Sequence, residues 1–394
     1  MALQAAPKRV AGEPDWLSAL PDCLLHTIMS FMKARQVVQM CVLSTRWKHL
    51  WLSAPCLDVD LDEFKTVEQG YDSDDEDDIY DVDDKNWQVF EDFIFNLMLR
   101  RNIALLDSFR LCVSGRAPDN GNKNAGAWVR RAIKYCASYP GIQREGLSSN
   151  SWRLKRLHLF YVFLDSVFAE HVSSACHSLE DLELKYCPCE FPAITSHSLK
   201  NLSLVIDGGS NRCLLVITAP AVAYLCMQTY RFDAGIATNE MPSLDKALIS
   251  LPGYRVFKVL CGVSNMTRLE LSYFEKMVLS EEYPAFKEFS NLRNLLLDNC
   301  DLGDDLQTLA LFLENSPRLE KLTLRYCEFS NDSKKKKGTP KPKKRSSCLD
   351  VQCVNLKLTE IIYEEDDDVR QLVEFLLPIS GKLQKNHLKL TKVD

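Results

Sequence analysis

Apolar residues recur along most of the chain in groups of three that share the spacing L-x-x-L-x-L. Three groups also place a cysteine three residues after the last leucine: Leu179-Leu182-Leu184-Cys187, Leu292-Leu295-Leu297-Cys300 and Leu319-Leu322-Leu324-Cys327. Three more keep the trio alone: Leu154-Leu157-Leu159, Leu199-Leu202-Leu204 and Met266-Leu269-Leu271. Weaker groups are Leu106-Phe109-Leu111, Val222-Leu225-Met227, Leu244-Ala247-Ile249 and Cys353-Leu356-Leu358. A repeating architecture is therefore predicted for most of the chain.

The distance between groups identifies the type of repeat. Groups starting at 154, 179, 199, 222, 244, 266, 292 and 319 follow each other at intervals of 20 to 27 residues, which is the period of leucine-rich repeats. Two intervals are longer. The one from 106 to 154 fits either a missed degenerate repeat or an insertion near 119–126, and the one from 319 to 353 contains a lysine-rich insertion.

Each trio predicts a short strand whose alternate residues point inward. The returning segments predict helices over 167–176, 306–314 and 369–377. Because one unit cannot bury its own leucines, we predict an α/β solenoid over 106–352, with short parallel strands and a helical or irregular convex side. The recurring cysteine is interpreted as a small buried group in the turn after the strand; a reactive thiol is the less favoured interpretation.

Near the start, residues 15–52 predict three short helices with much apolar surface. Pro21 suits a first helical turn, and Leu24, Ile28 and Phe31 share one face at i, i+4 and i+7. A second helix is predicted over 34–43, and a third carries the two tryptophans near 50. Three helices this short cannot enclose so many large side chains. Either a partner protein covers them, or they pack on the rest of the chain.

The same segment resembles an F-box in its plant form. The matching residues are Leu20-Pro21-Asp22, Leu25, Ile28, Phe31, Leu43-Ser44, Arg46-Trp47 and Leu50-Trp51, while Met32 and Lys33-Ala34 depart mildly from the pattern. The resemblance covers 15–54 and implies docking to a Skp-type adaptor, which connects to a cullin and a RING subunit. The residues it assigns to adaptor docking are Leu20, Pro21, Leu25, Ile28, Phe31, Val38, Leu43, Trp47 and Trp51. The tryptophans are expected to be divided between internal packing and the interface.

Residues 353–394 loosely resemble a short C-terminal module that closes many plant F-box repeat proteins. We expect a strand, an acidic loop at 364–368, a helix and a last strand at 387–390. Such a unit would cap the final repeat. Residues 1–14 are expected to be disordered, and 55–105 to form a linker.

Charge is concentrated in two runs, although the net charge is only −6. The acidic run at 72–84 is expected to be a mobile loop because like charges repel; a docking strip for a basic partner is the alternative. The basic run lies in an insertion at 331–347, and its cations are Lys334, Lys335, Lys336, Lys337, Lys341, Lys343, Lys344 and Arg345. A solvated insertion and a nuclear import signal are both open, with import favoured, so the nucleus is favoured over the cytoplasm as the location.

Other classes of function find little support in the sequence. The longest apolar stretch, 214–227, is too short to cross a bilayer, and an N-terminus without an export signal predicts an intracellular protein with reduced cysteines. His171, Cys176, His177, Cys187 and Cys189 match no zinc spacing. Because no nucleotide, hydrolase or metalloprotease motif occurs, we expect no catalysis, metal or cofactor, and the acidic net charge argues against nucleic-acid binding.

These observations predict a non-catalytic substrate receptor of an SCF-type ubiquitin ligase. The F-box would hold the adaptor, and the repeats would hold a protein target whose identity the sequence does not reveal. The alternatives are a repeat scaffold or nuclear regulator that does not direct degradation, and a small molecule within the repeats stays an open question.

Overall fold

A computed structural model describes residues 19–65, 76–101, 106–113, 121–137, 153–206, 214–229, 236–251, 259–273, 288–302, 306–328, 355–364, 366–381 and 387–393. The predictions for residues 1–14 and for the basic run at 334–345 lie outside these ranges. The principal helices are α1 (Asp22–Met29), α2 (Ala34–Gln39), α3 (Trp47–Leu50), α4 (Glu76–Arg100), α5 (Gly121–Ala137), α6 (Ser166–Ala175), α7 (Gln307–Glu314) and α8 (Asp366–Gly381). The strands are β1 (Cys56–Asp60), β2 (Ser108–Cys112), β3 (Arg156–Phe160), β4 (Leu164–Asp165), β5 (Asp181–Lys185), β6 (Cys189–Glu190), β7 (Ala193–Thr195), β8 (Asn201–Ile206), β9 (Leu215–Thr218), β10 (Tyr224–Thr229), β11 (Ile236–Thr238), β12 (Lys246–Ser250), β13 (Arg268–Ser272), β14 (Asn294–Asp298), β15 (Lys321–Arg325), β16 (Leu358–Tyr363) and β17 (His387–Lys392).

One parallel sheet runs through the described part of the chain. Its order is β1-β2-β3-β5-β8-β10-β12-β13-β14-β15-β16-β17, and equivalent residues of neighbouring repeats are paired, as in Leu295 with Leu322 and Leu297 with Leu324. The leucines of the trios are buried against the layer that returns behind the sheet. The predicted solenoid of short parallel strands is confirmed.

The returning layer is helical at both ends and extended in the middle. Helices α6, α7 and α8 include the three segments predicted as helices, to within a few residues. Behind the central strands lies a small parallel sheet in the order β11-β9-β7 instead. Its β-branched residues Ile194, Ile217 and Ile236 are buried against the main sheet's inner side, and such residues favour strands.

The turn after each strand explains the recurring cysteine. Cys187 is buried and its thiol donates to the carbonyl of Leu159 in the preceding unit at 3.4 Å. Cys327 repeats this contact with the carbonyl of Leu297 at 3.4 Å. Burial raises the pKa of the Cys187 thiol to about 12, so the buried interpretation of this position is confirmed.

Two predictions about the chain's organisation need correction, and one open alternative is decided. Residues 55–105 are not a linker alone, because they contain β1, the first strand of the sheet, and α4. The prediction of a loop at 72–84 fails over 76–84, which is helical, while 72–75 lie outside the described residues. Of the two alternatives for the long interval after 106, the insertion is correct, since β2 pairs directly with β3 and α5 lies between them.

The last repeat is in a different register from the prediction. The trio Cys353-Leu356-Leu358 is wrong, because Thr359 and Ile361 pair with Leu322 and Leu324 of the neighbouring strand. The inward residues are thus Leu356, Thr359 and Ile361. The C-terminal unit then continues the sheet, with β17 paired to β16, and α8 begins inside the predicted acidic loop.

Candidate interaction surfaces

The N-terminal helices bury one side against the chain itself. Leu25 is 0% exposed and Trp47 is 2% exposed, and α2 packs directly on β1. Their buried neighbours are Met29, Ala34, Val37, Leu50 and Trp51. The alternative of packing on the rest of the chain is therefore correct for this half of the apolar surface.

The opposite side leaves large apolar residues in solvent. We call Leu24, Ile28, Phe31, Val42 and Leu43 the apolar patch. Phe31 is 86% exposed and Val42 is 87% exposed, which is unusual for side chains of this size. An exposed cluster of this kind marks an interaction site.

Two segments supply the patch, and polar contacts hold them together. Leu24, Ile28 and Phe31 come from α1 and the turn after it, and the other two residues precede α3. Arg46 forms an ion pair with Asp22 at the start of α1. This ion pair links the two segments that supply the patch.

The structure separates the predicted docking residues into two groups. Leu25, Trp47 and Trp51 belong to the core, so their assignment to the adaptor interface is corrected. They are buried because the packing of α2 on β1 decides which side of the N-terminal helices is covered. Of the others, Pro21, Ile28, Phe31 and Leu43 are exposed, while Leu20 and Val38 are half-buried against the core.

Leu24 and Val42 were missed as patch residues. Leu24 belongs to the stripe formed with Ile28 and Phe31, so the helical spacing was the signal that could have identified it. Val42 lies in a short turn between helices, and no periodic pattern in the sequence marks it as exposed.

A buried arginine joins the helices to the first strand. Arg101 follows α4 and is 6% exposed. Its guanidinium donates to the carbonyls of Trp51 at 3.1 Å and Cys56 at 3.2 Å, and also to that of Ala54. Desolvation lowers the pKa of Arg101 to about 10. The segment from α3 to β1 therefore surrounds the Arg101 side chain. No pattern in the sequence had indicated this role.

Charged residues reinforce this junction. Lys33, between α1 and α2, donates to Asp60 at the end of β1 at 2.8 Å. Arg110 of β2 approaches the same carboxylate at 3.5 Å, and Arg35 lies over the Phe64 ring at 4.8 Å. The N-terminal helices are thus attached to the sheet by direct contacts.

The second candidate surface is the open face of the sheet, on the side away from the buried leucines. We call the first residues of its strands the first row, running from Cys56 to His387. We call the residues two positions later the middle row: Asp58, Arg110, His158, Glu183, Ser203, Cys226, Leu248, Glu270, Leu296, Thr323, Glu360 and Lys389. Apart from Thr323, which is buried, these side chains are available to a partner that lies along the array.

Charges at the N-terminal end of the open face are mutually paired. Arg110 donates to Asp58 at 2.8 Å and lies 4.7 Å from the centre of the Phe160 ring. Lys185 pairs with Glu183 at 2.6 Å and lies 5.6 Å from the same ring. This end is electrically balanced.

At the C-terminal end, Arg325 donates both arms of its fork to Asp298 at 2.7 and 2.6 Å. Glu360 accepts from Lys389 at 2.7 Å and lies 3.4 Å from Lys321. Between the two ends the middle row becomes largely neutral, with Ser203, Cys226, Leu248 and Leu296. The open face therefore changes character along the array.

No metal or membrane site emerges in the ranges that the structure covers. His171, Cys176, His177, Cys187 and Cys189 are not gathered into a site, and no group of three or more potential ligands occurs among the described residues. No described helix is long and apolar enough to span a bilayer.

Comparison with known families matches both parts of the structure. An F-box domain model matches residues 17–58. A second model, described as "At1g61320/AtMIF1, LRR domain", matches residues 132–382, about two thirds of the chain.

Curated plant proteins align over nearly the whole chain. The "MEIOTIC F-BOX protein MOF" of Oryza sativa subsp. japonica is 30% identical over 415 positions, covering 93% of this chain and 84% of the relative. A putative FBD-associated F-box protein of Arabidopsis thaliana is 27% identical, covering 94% of this chain and 96% of the relative. F-box/LRR-repeat protein 13 of the same plant is 25% identical, covering 95% and 89%.

Proposed function

The chain belongs to the F-box/leucine-rich-repeat proteins of plants, and on this premise we propose that it is the substrate-recognition subunit of an SCF-type ubiquitin ligase. Proteins of this family are generally receptors of such ligases and are typically non-catalytic. In the proposal the apolar patch docks a Skp-type adaptor, and the repeats hold a protein target. Ubiquitin transfer is then carried out by the other subunits.

The exposure of the apolar patch is the observation that carries the proposal. Phe31 and Val42 project into solvent from turns beside helices whose other side is already packed, so their exposure is not a consequence of an incomplete core. Burying a large apolar side chain at an interface contributes roughly 1.5–3 kcal/mol. Five such residues form an apolar surface large enough to pack into a hydrophobic groove of an adaptor.

The benefit of such a receptor is proximity. A target held on the repeats has its lysines at raised effective concentration near the charged conjugating enzyme. Chemistry on the receptor itself is unnecessary.

Adaptor docking is tested with the double variant Phe31→Ser and Val42→Ser. Both side chains are so exposed that their loss should leave the melting temperature close to that of the wild type, while co-purification with a co-expressed Skp-type adaptor should be lost. The matched control is Val167→Ser with Leu377→Ser, two exposed apolar residues on the convex helices. Adaptor retained at wild-type stoichiometry by the patch variant would refute the assignment. Leu20→Ala with Pro21→Ala is a second docking variant.

Degradation is tested by comparing target levels. Proteins bound by the repeats should still bind the Phe31/Val42 variant, because the patch lies outside the repeats. These proteins should accumulate in cells that express the variant, and proteasome inhibition should remove the difference from wild type. Equal target levels without inhibition would favour a scaffold that does not direct degradation.

We also propose import into the nucleus through the basic run at 334–345. The support is its sequence, eight cations in two clusters. A fluorescent fusion in which the eight cations are replaced by glutamine should lose nuclear enrichment. An unchanged distribution would leave the run as a solvated insertion between repeats.

A further inference from the structure

The middle of the open face contains a cavity of about 170 Å³, and three of the residues that line it are cations. Lys246, Arg268 and Lys321 stand in the first row on β12, β13 and β15, and Glu270 is the carboxylate among the lining residues. Lys246 and Arg268 are directly opposite each other in register, and like charges in that position destabilise a sheet. An anion between them would relieve the repulsion.

Two of these cations are positioned by carboxylates outside the cavity. Asp245 pairs with Arg268, and Glu360 pairs with Lys321 at 3.4 Å. Neither carboxylate lines the cavity. Lys246 contacts the Tyr224 ring at 5.9 Å and forms no ion pair within the described part of the chain. Lys246 is therefore the lining cation that no described carboxylate pairs with, and it lies opposite Arg268.

The rest of the lining distinguishes an acidic peptide from a small polyanion. Leu296 lines the cavity beside Glu270 in the middle row, and Leu248 lies on the other side of Glu270, outside the lining. A free phosphate would bring its full charge next to Glu270. An extended peptide instead can place a carboxylate against the first row, an apolar side chain against a leucine, and a backbone N–H toward Glu270.

We propose that this cavity receives an extended acidic segment of the target, in which carboxylates alternate with apolar residues. The inference rests on the proposed function, since it places the target on the open face of the repeats. Side chains of a strand alternate between two sides with a period of two, so such a segment can hold one residue type against the cations and the other against Leu248 and Leu296.

The test uses the full chain purified with its adaptor and a fluorescent peptide of alternating glutamate and leucine as the probe. Fluorescence anisotropy should show binding that weakens as salt is raised. A peptide with glutamine in place of glutamate should bind roughly tenfold more weakly or worse. Equal affinity for the two peptides would overturn the proposal.

Two variants address the cations. Lys246→Glu should weaken glutamate-peptide binding without loss of folding, because Lys246 has no ion-pair partner to lose among the described residues. The triple variant Lys246→Glu, Arg268→Glu and Lys321→Glu should weaken it further. The matched control, Lys155→Glu, Lys200→Glu and Lys357→Glu, changes the net charge equally at exposed positions outside the cavity. If the control weakened peptide binding as much as the triple variant, the effect would come from net charge alone and the proposed site would be refuted.

The remaining outcomes are also decisive. Displacement of the peptide by inorganic phosphate, beyond that by chloride at equal ionic strength, would identify the site as one for small anions and overturn the peptide assignment. Self-association that the triple variant abolishes would make a second copy the occupant. Adaptor co-purification is measured in every sample. Its absence from the wild type would count against the proposed function, whereas its retention with no peptide binding would count against this site alone.

Discussion

Arg101 offers a sharp test of how the N-terminal helices are attached to the repeats. Its guanidinium is buried and donates to three backbone carbonyls, those of Trp51, Ala54 and Cys56. It forms no ion pair with a described carboxylate. Replacement by methionine keeps an apolar stem of similar length and removes the donors, so Arg101→Met measures what the donors contribute.

The magnitude follows from two opposed effects. Losing the donors leaves three carbonyls without a partner, at about 2 kcal/mol each, or roughly 6 kcal/mol. Removing the buried charge offsets part of this loss in the free energy of unfolding, because the charge itself is unfavourable in the interior. The pKa of Arg101 is lowered from 12.5 to about 10, and a shift of that size corresponds to about 3 kcal/mol of disfavoured charge. The net expected loss is about 3 kcal/mol, confined to the junction.

Hydrogen exchange can detect this loss locally. The amides of Asp107 and Ser108 donate to the carbonyl of Pro55 at 2.7 and 3.2 Å, inside the segment that Arg101 holds. Their exchange should become faster by roughly a hundredfold in Arg101→Met. The amide of Tyr273, bonded to Asp298 in the sheet, should be unaffected.

Arg100→Met is the matched control, because Arg100 is the preceding residue and is exposed. The reasoning is refuted if exchange at Asp107 and Ser108 is unchanged in Arg101→Met. It is equally refuted if all strands exchange faster together, since the arginine would then stabilise the whole fold and not the junction.

Three further outcomes are expected. In native protein iodoacetamide should label exposed Cys23 and spare Cys187, whose thiol is buried with a pKa of about 12; equal labelling by peptide mass spectrometry would contradict that burial. The pKa of Glu360 in the folded protein is lowered by the hydrogen bond from Lys389. The stability that this ion pair contributes is therefore fully present above the ordinary pKa of 4.5, and it is lost as the pH falls through the lower pKa of the folded protein. The difference in melting temperature between wild type and Glu360→Gln should shrink in that acidic range, and a gap independent of pH would exclude the ion pair as its cause. Thr359→Val should raise stability by about 1 kcal/mol in denaturant titration, because the buried hydroxyl has no hydrogen-bond partner among the described residues; a loss would reveal one.

Most of the strands that the sequence predicted belong to units with large apolar residues at all three positions of the trio. Two repeats were harder to place for physical reasons. In β1 the inward residues Leu57 and Val59 follow Ala54, which is too small to stand out as the first member of a trio. In β16 a threonine takes an inward position, so Leu358, which points to the open face, was counted in its place. Burial of a hydroxyl is costly and rare, and patterns built on apolar spacing pass over it.

The apolar patch shows a different limit. The resemblance pointed to the segment that contains the patch, but adjacent residues on a helix point about 100° apart, so it could not decide which of Leu24 and Leu25 is exposed. That choice depends on where α2 and β1 lie, which is a tertiary fact. Arg101 is harder still, because an arginine surrounded by carbonyls has no local sequence signature.

Because the N-terminal helices are attached directly to the sheet, the place where a target binds on the open face determines how far the target lies from the adaptor in the proposed complex. Because Arg101 and Lys33 hold the helices directly to β1, the adaptor and the sheet form one rigid body in the proposed complex. Neighbouring strands lie about 4.8 Å apart, and seven steps along the sheet separate β1 from β13. The cavity at β13 therefore lies about 34 Å from the junction, measured along the sheet. A flexible linker would average over such distances. A rigid array holds a bound segment at a fixed distance from the adaptor. Target binding and target ubiquitination should therefore be separable in this protein: loosening the junction with Arg101→Met should preserve peptide affinity at the cavity and alter which lysines of a bound target are modified.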